Sequence, residues 1–450
     1  MGSGGIAMVG RRAERKQLSA DALFSLVRSG LAMISDHRVG NTEISLTDAM
    51  MSAFGMFSLK CPSLLQFDQQ QRANENLQSV YKIDRVPCDT QMRTIVDPVD
   101  PEALRPVFRD VFRQVQRGKA LEQFVYLKGC YLLSLDGTGY FSSSKIHCPS
   151  CMKKVSRSGA VTYYHQMLGA ALVHPDLKEV LPLCPEPIIK QDGATKNDCE
   201  RNAARRFLSK FRQEHPHLPV IVVEDGLSSN APHVRDLLAH RMHFILGVKE
   251  GDHPFLFEQV ELRENTGDVT DVEIRDQNPK SDIRHLITIV PDVPLNESNQ
   301  DLLVTFVRYI ELNEAEDKIR LFTWVTDLKA HRGNAWQFMR AGRSRWKIEN
   351  ETFNTLKNQG YHFEHNYGHG KQNLSVNLAL LMMLAFLVDQ VLQRCSRLFR
   401  AAWNELGSKR LLWEEMRSIF YHFSIRSMSE LYEAILYGHK NRRPEILDSS

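Results

Sequence analysis

Apolar positions along this chain change period several times, and the changes divide it. From residue 1 to about 125 they recur at helical spacing, as in LSADALFSLVRSGLAMISDHR, with breaks at Pro101 and Pro106. At Phe124 the pattern turns to β, with FVYLKGCYLLSLDGTGYFSSS predicting a first strand, VTYYHQMLGAALVHP (161–175) a second and EVLPLCPEPI (179–188) a third. NDCERNAARRFLSKFRQEH (197–215) predicts an amphipathic helix, with Ala204, Phe207, Leu208 and Phe211 on one stripe. LPVIVVEDG then predicts a fully apolar strand, APHVRDLLAHR a helix capped by Ser228 or Ser229, and HFILGVK a fifth strand. From Gly251 to about Thr326 the pattern is β again (DVTDVEIRD, RHLITIVPDV, LLVTFVRYIEL, IRLFTWVTDL). Helical spacing returns in NAWQFMRAGRSRWKIENETFNTLKNQG (334–360), which Gly360 should end, in a buried helix around LALLMMLAFLV, and in a C-terminal tail rich in Trp and Phe. The expected organisation is a helical N-terminal domain (1–125), an α/β core in two parts (126–250 and 331–395), an inserted acidic β module (251–330) and a helical tail (396–450).

Composition adds bounds. At 450 residues, 42% hydrophobic and 25% charged, the chain should fold as roughly two to four compact units. The run Leu378–Val388 is about half the length that spans a bilayer, so it reads as core. The N-terminus lacks an apolar segment before a cleavage site, and eight scattered cysteines do not make a disulfide framework; both fit a cytoplasmic protein. The net charge of +3 conceals a segregation. Residues 250–320 hold 17 Asp/Glu against 7 Lys/Arg, a net of −10, so the rest carries +13. A basic surface outside the acidic segment is what a polyanion-binding protein needs, although a solvated face of mixed sign has the same composition. The helical N-terminal region, with Arg11, Arg12, Arg15 and Lys16, is a positional candidate for DNA binding.

The candidate chemistry lies in three acids. At 100° per residue, Glu349 shares a stripe with Phe338, Gly342, Phe353 and Leu356, while Glu351 falls on the far side with Ser344, Lys347, Asn354, Thr355 and Asn358. A carboxylate on an apolar stripe is costly unless it is paired, protonated or metal-bound. Arg345, one turn earlier, is a possible partner in a purely structural ion pair. Asp136 and Asp225, however, are expected at the ends of the first and fourth strands, 89 residues apart, with Glu349 another 124 residues on. Those strand ends are neighbours if the sheet has the ribonuclease-H-like order. Three converging carboxylates suit two divalent cations, and such a pair serves phosphodiester chemistry.

LDGTGYFSS, VVEDGLSSN and GRSRWKIENETFNTLKNQGYHFEHNYGHGK resemble the three acidic motifs of the DDE transposases of bacterial insertion sequences, over roughly residues 130–375. The long gap before the last acid resembles the subgroup with a β module inserted ahead of the catalytic helix. Its signature on that helix is a tyrosine, an arginine, the glutamate and a lysine. Arg345 matches; Gly342 stands at the tyrosine position; Lys357 follows the glutamate by eight residues where seven is usual. The resemblance implies a ribonuclease-H-like mixed sheet, Mg²⁺ (with Mn²⁺ as substitute) on Asp136, Asp225 and Glu349, and a homodimer that cuts transposon ends and joins them to target DNA in the bacterial cytoplasm, at the nucleoid. It also implies DNA contacts by Arg345, Lys357 and Arg343. Six Lys/Arg against two Glu in residues 331–360 agree with a DNA-facing surface. Trp324, 25 residues before Glu349, is a candidate for stacking on a flipped base, or simply a core residue of a strand. A nuclease of the same fold that does not join strands, and an inactive DNA-binding relative, are the alternatives.

Cys148 and Cys151 (IHCPSC), with His165, form a possible structural zinc site whose fourth ligand would be His174, Cys184 or Cys199; reduced thiols in a packed hairpin are the other reading. His365 and His369 read as loop structure or DNA-backbone contacts rather than metal ligands.

Overall fold

The computed structural model describes residues 16–40, 42–189, 198–275, 283–313 and 318–438. Arg11, Arg12 and Arg15 lie outside them. The frame is an eleven-stranded sheet: β1 (Tyr131–Ser143), β2 (Met152–Val155), β3 (Val161–Val173), β4 (Leu181–Pro182), β5 (Glu186–Ile188), β6 (Val220–Glu224), β7 (His243–Gly247), β8 (Thr270–Arg275), β9 (Ile283–Pro294), β10 (Leu303–Asn313) and β11 (Lys318–Thr326). The order is β2-β3-β1-β6-β7-β11-β10-β9-β8, with β4 and β5 also paired to β3. Only β1–β6 and β6–β7 are parallel. Every residue of β6 is buried, as a parallel strand covered on both faces requires. Helices Glu200–Glu214 and Ala231–Ala239 lead into and out of it. This is an α/β, ribonuclease-H-like arrangement: an antiparallel β1–β3 hairpin continued by two parallel strands.

Several expectations need correction. The expected strand does not begin at Phe124: 3₁₀ turns at Leu121–Phe124 and Leu127–Gly129 precede β1, and Lys128 in the second has positive φ. The single strand expected over 179–188 is two fragments, because Pro182 and Pro185 have no N–H for the ladder. The helix Pro254–Thr266 lies in the segment read wholly as β; its apolar side chains are few, with only Leu256 and Val260 buried, so it has little amphipathic signal. The four strands expected in the acidic segment do form, as β8 to β11. They extend the same sheet, since β11 pairs with β7 through Trp324↔Gly247 and Thr326↔Ile245.

The helix Leu374–Cys395 is buried almost all round and runs through the core; it is long and apolar enough to cross a membrane but is enclosed by protein. Its N-terminal amides are capped by Asp97, whose carboxylate accepts from the backbone N–H of Lys371, Gln372, Asn373 and Leu374 at 2.7–3.0 Å. The helix Leu46–Ser58, also buried throughout, packs against it. Lys60 extends its ammonium to Asp389 of the long helix at 2.6 Å and over the ring of Trp413 at 4.1 Å. A buried ammonium is tolerable only with such a partner. N-terminal, central and C-terminal helices thus share one continuous apolar core with the sheet.

Candidate active site

The parallel ladder between β1 and β6 ends at Ser134↔Val223. Asp136 and Asp225 each lie two residues beyond that rung, so the two aspartates leave adjacent strands at the same level, where neighbouring strands are about 5 Å apart. Asp136 is not at a strand end as expected. β1 parts from β6 but stays paired to β3 as far as Ser143, with Asp136 opposite Gly169. Asp225 does close its strand, and its Oδ1 accepts from the Leu227 N–H at 3.0 Å. Its neighbour Glu224 is committed elsewhere: buried, it accepts from His233 at 2.6 Å and Ser228 at 3.1 Å.

The glutamate segment is not one helix. An α-helix spans Ala335–Arg343, a turn follows, and a π-helical turn covers Ile348–Phe353 before Asn354–Asn358 resumes the α form. Two hydroxyls interrupt the ladder. Ser344 Oγ donates back to the Arg340 carbonyl at 2.7 Å, which bends helices. Ser134 Oγ of β1 donates to the Arg345 carbonyl at 3.2 Å, which also accepts from the Ile348 N–H. Phe338, Gly342, Phe353 and Leu356 are buried as expected, but so are Ser344 and Thr355, which pure α phase puts on the far side. Glu349 itself is half-exposed, at the edge of that stripe. Glu351 instead lies within electrostatic reach of Lys347 and Lys409.

Glycines let the parts close. A side chain at Gly169 would lie 2.6 Å from the Phe353 ring, so this glycine admits the aromatic anchor one turn beyond Glu349. Glu349 then reaches hydrogen-bonding contact with Asp136, and Arg345 bridges both, 2.6 Å from Glu349 and 3.4 Å from Asp136. Burial, that hydrogen bond and the charges of Glu349 and Asp225 push the Asp136 carboxyl up to about 7, against the lowering effect of Arg345. Acids forced together in this way are a site short of positive charge, and an all-oxygen donor set suits a hard divalent cation.

Glu200, unforeseen in the sequence, is a fourth acid. Gly137 has no side chain to block it, and Asp225 together with burial raises its pKa. A cavity of about 480 Å³ is lined by Asp136, Glu200, Arg201, Asp225 and His233. A second, of about 530 Å³, lies on the other side of Asp225, between Lys249, Trp324, Arg345 and Trp346. Trp346, also unforeseen, is 46% exposed with the Arg345 guanidinium 4.4 Å from its ring.

The remaining expected DNA contacts are less free. Arg343 pairs with Glu311 at 2.9 Å and lies over Phe322. Lys357 pairs with Glu364 at 2.9 Å. Trp324 is 6% exposed, stacked on Phe322, and borders the second cavity.

A family model described as a transposase DDE domain matches residues 157–387, just over half of the chain. The chain belongs to this family. The matched stretch includes Asp225 and Glu349 and begins after Asp136. No curated protein matches the chain significantly. Transposases of this kind act on DNA and generally use a divalent metal, which agrees with the acid-rich cleft.

The zinc candidates fall elsewhere. Cys148, Cys151 and His165 do meet, but the fourth side chain is His369 rather than His174, Cys184 or Cys199. Cys184 is buried beside Arg105 and Cys199 precedes Glu200 at the acid cavity. His369 was missed because it is 204 residues from His165, in the loop after the glutamate helix, and separations of that size carry no local signal.

Proposed function

We propose that this transposase-family protein hydrolyses the phosphodiester bond at the ends of a mobile DNA element and joins the freed 3′-hydroxyl to target DNA. Asp136, Asp225 and Glu349 would hold the metal, Mg²⁺ with Mn²⁺ as substitute. The observation that carries this reading is that Asp136 and Asp225 leave adjacent parallel strands at one level while Arg345 ties Glu349, from a distant segment, to Asp136. Bound there, a divalent pair would activate the attacking oxygen and offset charge on the leaving one.

The chain's own groups supply position and counter-charge. In the first step water oxygen bonds to phosphorus and gives up a proton, the bond from phosphorus to the 3′-oxygen breaks, and that oxygen takes a proton and leaves as a hydroxyl. In the second, the 3′-hydroxyl attacks a target phosphodiester and gives up its proton, while the displaced target 3′-oxygen takes one and leaves as a hydroxyl. Arg345, already between two carboxylates, is suited to hold a phosphate oxygen with its second N–H edge. Lys357 and Arg343 would bind flanking phosphates after exchanging Glu364 and Glu311 for DNA. Trp346 offers an exposed ring beside the cleft on which a base can stack. A homodimer is proposed, because two element ends must be held together.

The test uses the full chain and a donor carrying the DNA that flanks its reading frame. Asp136→Ala and Glu349→Gln should abolish cleavage with DNA binding near normal, whereas Glu351→Gln should retain most of it. Unchanged cleavage in Asp136→Ala overturns the site. Cleavage without strand-transfer products would establish the nuclease instead.

A further inference from the structure

Among the described residues, one cluster of four metal-ligating side chains joins two segments that the chain keeps far apart. Cys148 and Cys151 lie in the loop between β1 and β2, His165 on β3, and His369 in the loop between the glutamate helix and the long core helix. All four residues are buried, and their four ligand atoms lie within 4.8 Å of one another. Cys148 Sγ and Cys151 Sγ are 3.7 Å apart, too far for a disulfide. His165 Nε2 is 3.3 Å from each sulfur, and His369 Nε2 is 3.3 Å from Cys151 Sγ.

Four of the six separations approach the edges of a tetrahedron, and the other two, from His369 to Cys148 and to His165, stay within 4.8 Å. Zinc bonds of about 2.3 Å to sulfur and about 2.0–2.1 Å to nitrogen give edges of roughly 3.8 Å between sulfurs and roughly 3.5 Å between sulfur and nitrogen. Those four edges are within about 0.3 Å of these values. Hydrogen bonding alone explains the cluster poorly: neither His165 Nδ1 nor His369 Nδ1 has a hydrogen-bond partner among the described residues, although both atoms are buried. Both rings are instead held by aromatic contact, His165 parallel to Tyr140 and His369 at 4.0 Å from Phe141, with each Nε2 turned to the sulfurs.

We propose that Cys148, Cys151, His165 and His369 bind a structural zinc ion that clips the loop after the glutamate helix onto the hairpin carrying Asp136. Four protein ligands leave no open position, so the ion serves structure rather than catalysis. His165 stands opposite Phe141, five residues along β1 from Asp136. Ser150, between the two cysteines, donates to the Gln372 carbonyl at 3.2 Å and closes the same seam. Zinc here would fix the far end of the segment that aims Glu349.

The test is metal content of the full chain purified from zinc-supplemented medium, so it stands or falls independently of the active-site reading. Wild type should carry about one zinc per chain. His369→Ala and Cys151→Ser should lose most of it, while His147→Asn and Cys199→Ser, next to the cluster or the acid cavity but outside the four, should keep it. Cobalt substitution of wild type provides a readout that needs no variant to fold: tetrahedral thiolate ligation gives intense visible bands. Zinc-free wild-type protein without a cobalt spectrum overturns the proposal, as does full zinc retention in folded His369→Ala.

Discussion

Gly169→Ala tests the assembly of the acids without touching one of them. A methyl at this position would sit 2.6 Å from Cε1 and Cζ of Phe353, where carbon atoms ordinarily rest about 3.5–4.0 Å apart. The ring must therefore retreat by about 1 Å. Phe353 is 6% exposed, so part of that retreat passes to its own helical segment. Glu349 is one turn earlier on the same segment and moves with it. A displacement of about 1 Å at a reacting centre costs on the order of 10²-fold in rate, or about 2.7 kcal/mol in barrier. Overpacking should cost about 1–3 kcal/mol in stability, which a folded domain survives. The assay is metal-dependent cleavage of donor DNA at saturating enzyme, with circular dichroism to confirm folding. Gly139→Ala on the partner strand is the matched control, because its methyl meets nothing closer than the His165 carbonyl at 3.8 Å. Wild-type cleavage in Gly169→Ala, or equal losses in both variants, would refute the argument that this glycine sets the position of Glu349.

Trp346→Ala should weaken binding to DNA with unpaired ends by about 1–3 kcal/mol, read by fluorescence anisotropy, with little change in melting temperature. Trp324→Ala should instead lower stability by about 3–5 kcal/mol, and the reverse pattern would exchange the roles of the two rings. Burial against Phe112 and Phe211, with Arg113, Arg109 and Arg212 nearby, pushes His215 from its ordinary value near 6.5 down to about 4. The unfolded chain then binds the proton first, so stability present above pH 6.5 is lost as pH falls toward 4, by at most about 3 kcal/mol. Urea midpoints of His215→Leu should be flatter than wild type over that window, and parallel curves would reject the assignment.

Much of this was readable in the sequence wherever a local pattern carried it. The apolar run of β6 ends in an acid and a glycine, and the alternation of β8 to β11 is plain in their residues. The nearness of Asp136 and Asp225 was expected if the sheet took the ribonuclease-H-like order, because parallel neighbours bring their ends to one level, while Glu349 rested on helix phase and on the resemblance. What escaped notice depended on contacts between distant segments. The π turn at Ile348–Phe353 arises where Ser134, more than 200 residues away, takes the Arg345 carbonyl. Glu200 looked like an ordinary first-turn acid of an amphipathic helix, the usual favourable place for one. Only Gly137 on another strand makes room for it at the acids. His369 reads as loop until β3 and the β1–β2 loop are placed beside it.

The two departures from the subgroup signature that the sequence resembles each have a structural counterpart. A side chain at Gly342 would begin 2.5 Å from the Trp324 indole, so the aromatic bulk expected from the helix is supplied by β11. A tyrosine at 342 and a tryptophan at 324 are alternatives in one volume, and this chain has the second. Lys357 is one residue late only on an ideal α-helix, where eight residues turn 800° and leave it about 80° from Glu349. A π turn closes its hydrogen bond one residue further along and so absorbs one residue of sequence. Across Ile348–Phe353, eight residues then do the angular work of seven, which brings Lys357 back to within about 20° of the glutamate. The extra residue between glutamate and lysine and the π turn thus offset one another in helical phase. On this account the helix keeps arginine, glutamate and lysine on a common face, and the change in numbering does not weaken the case for Lys357 as a phosphate contact.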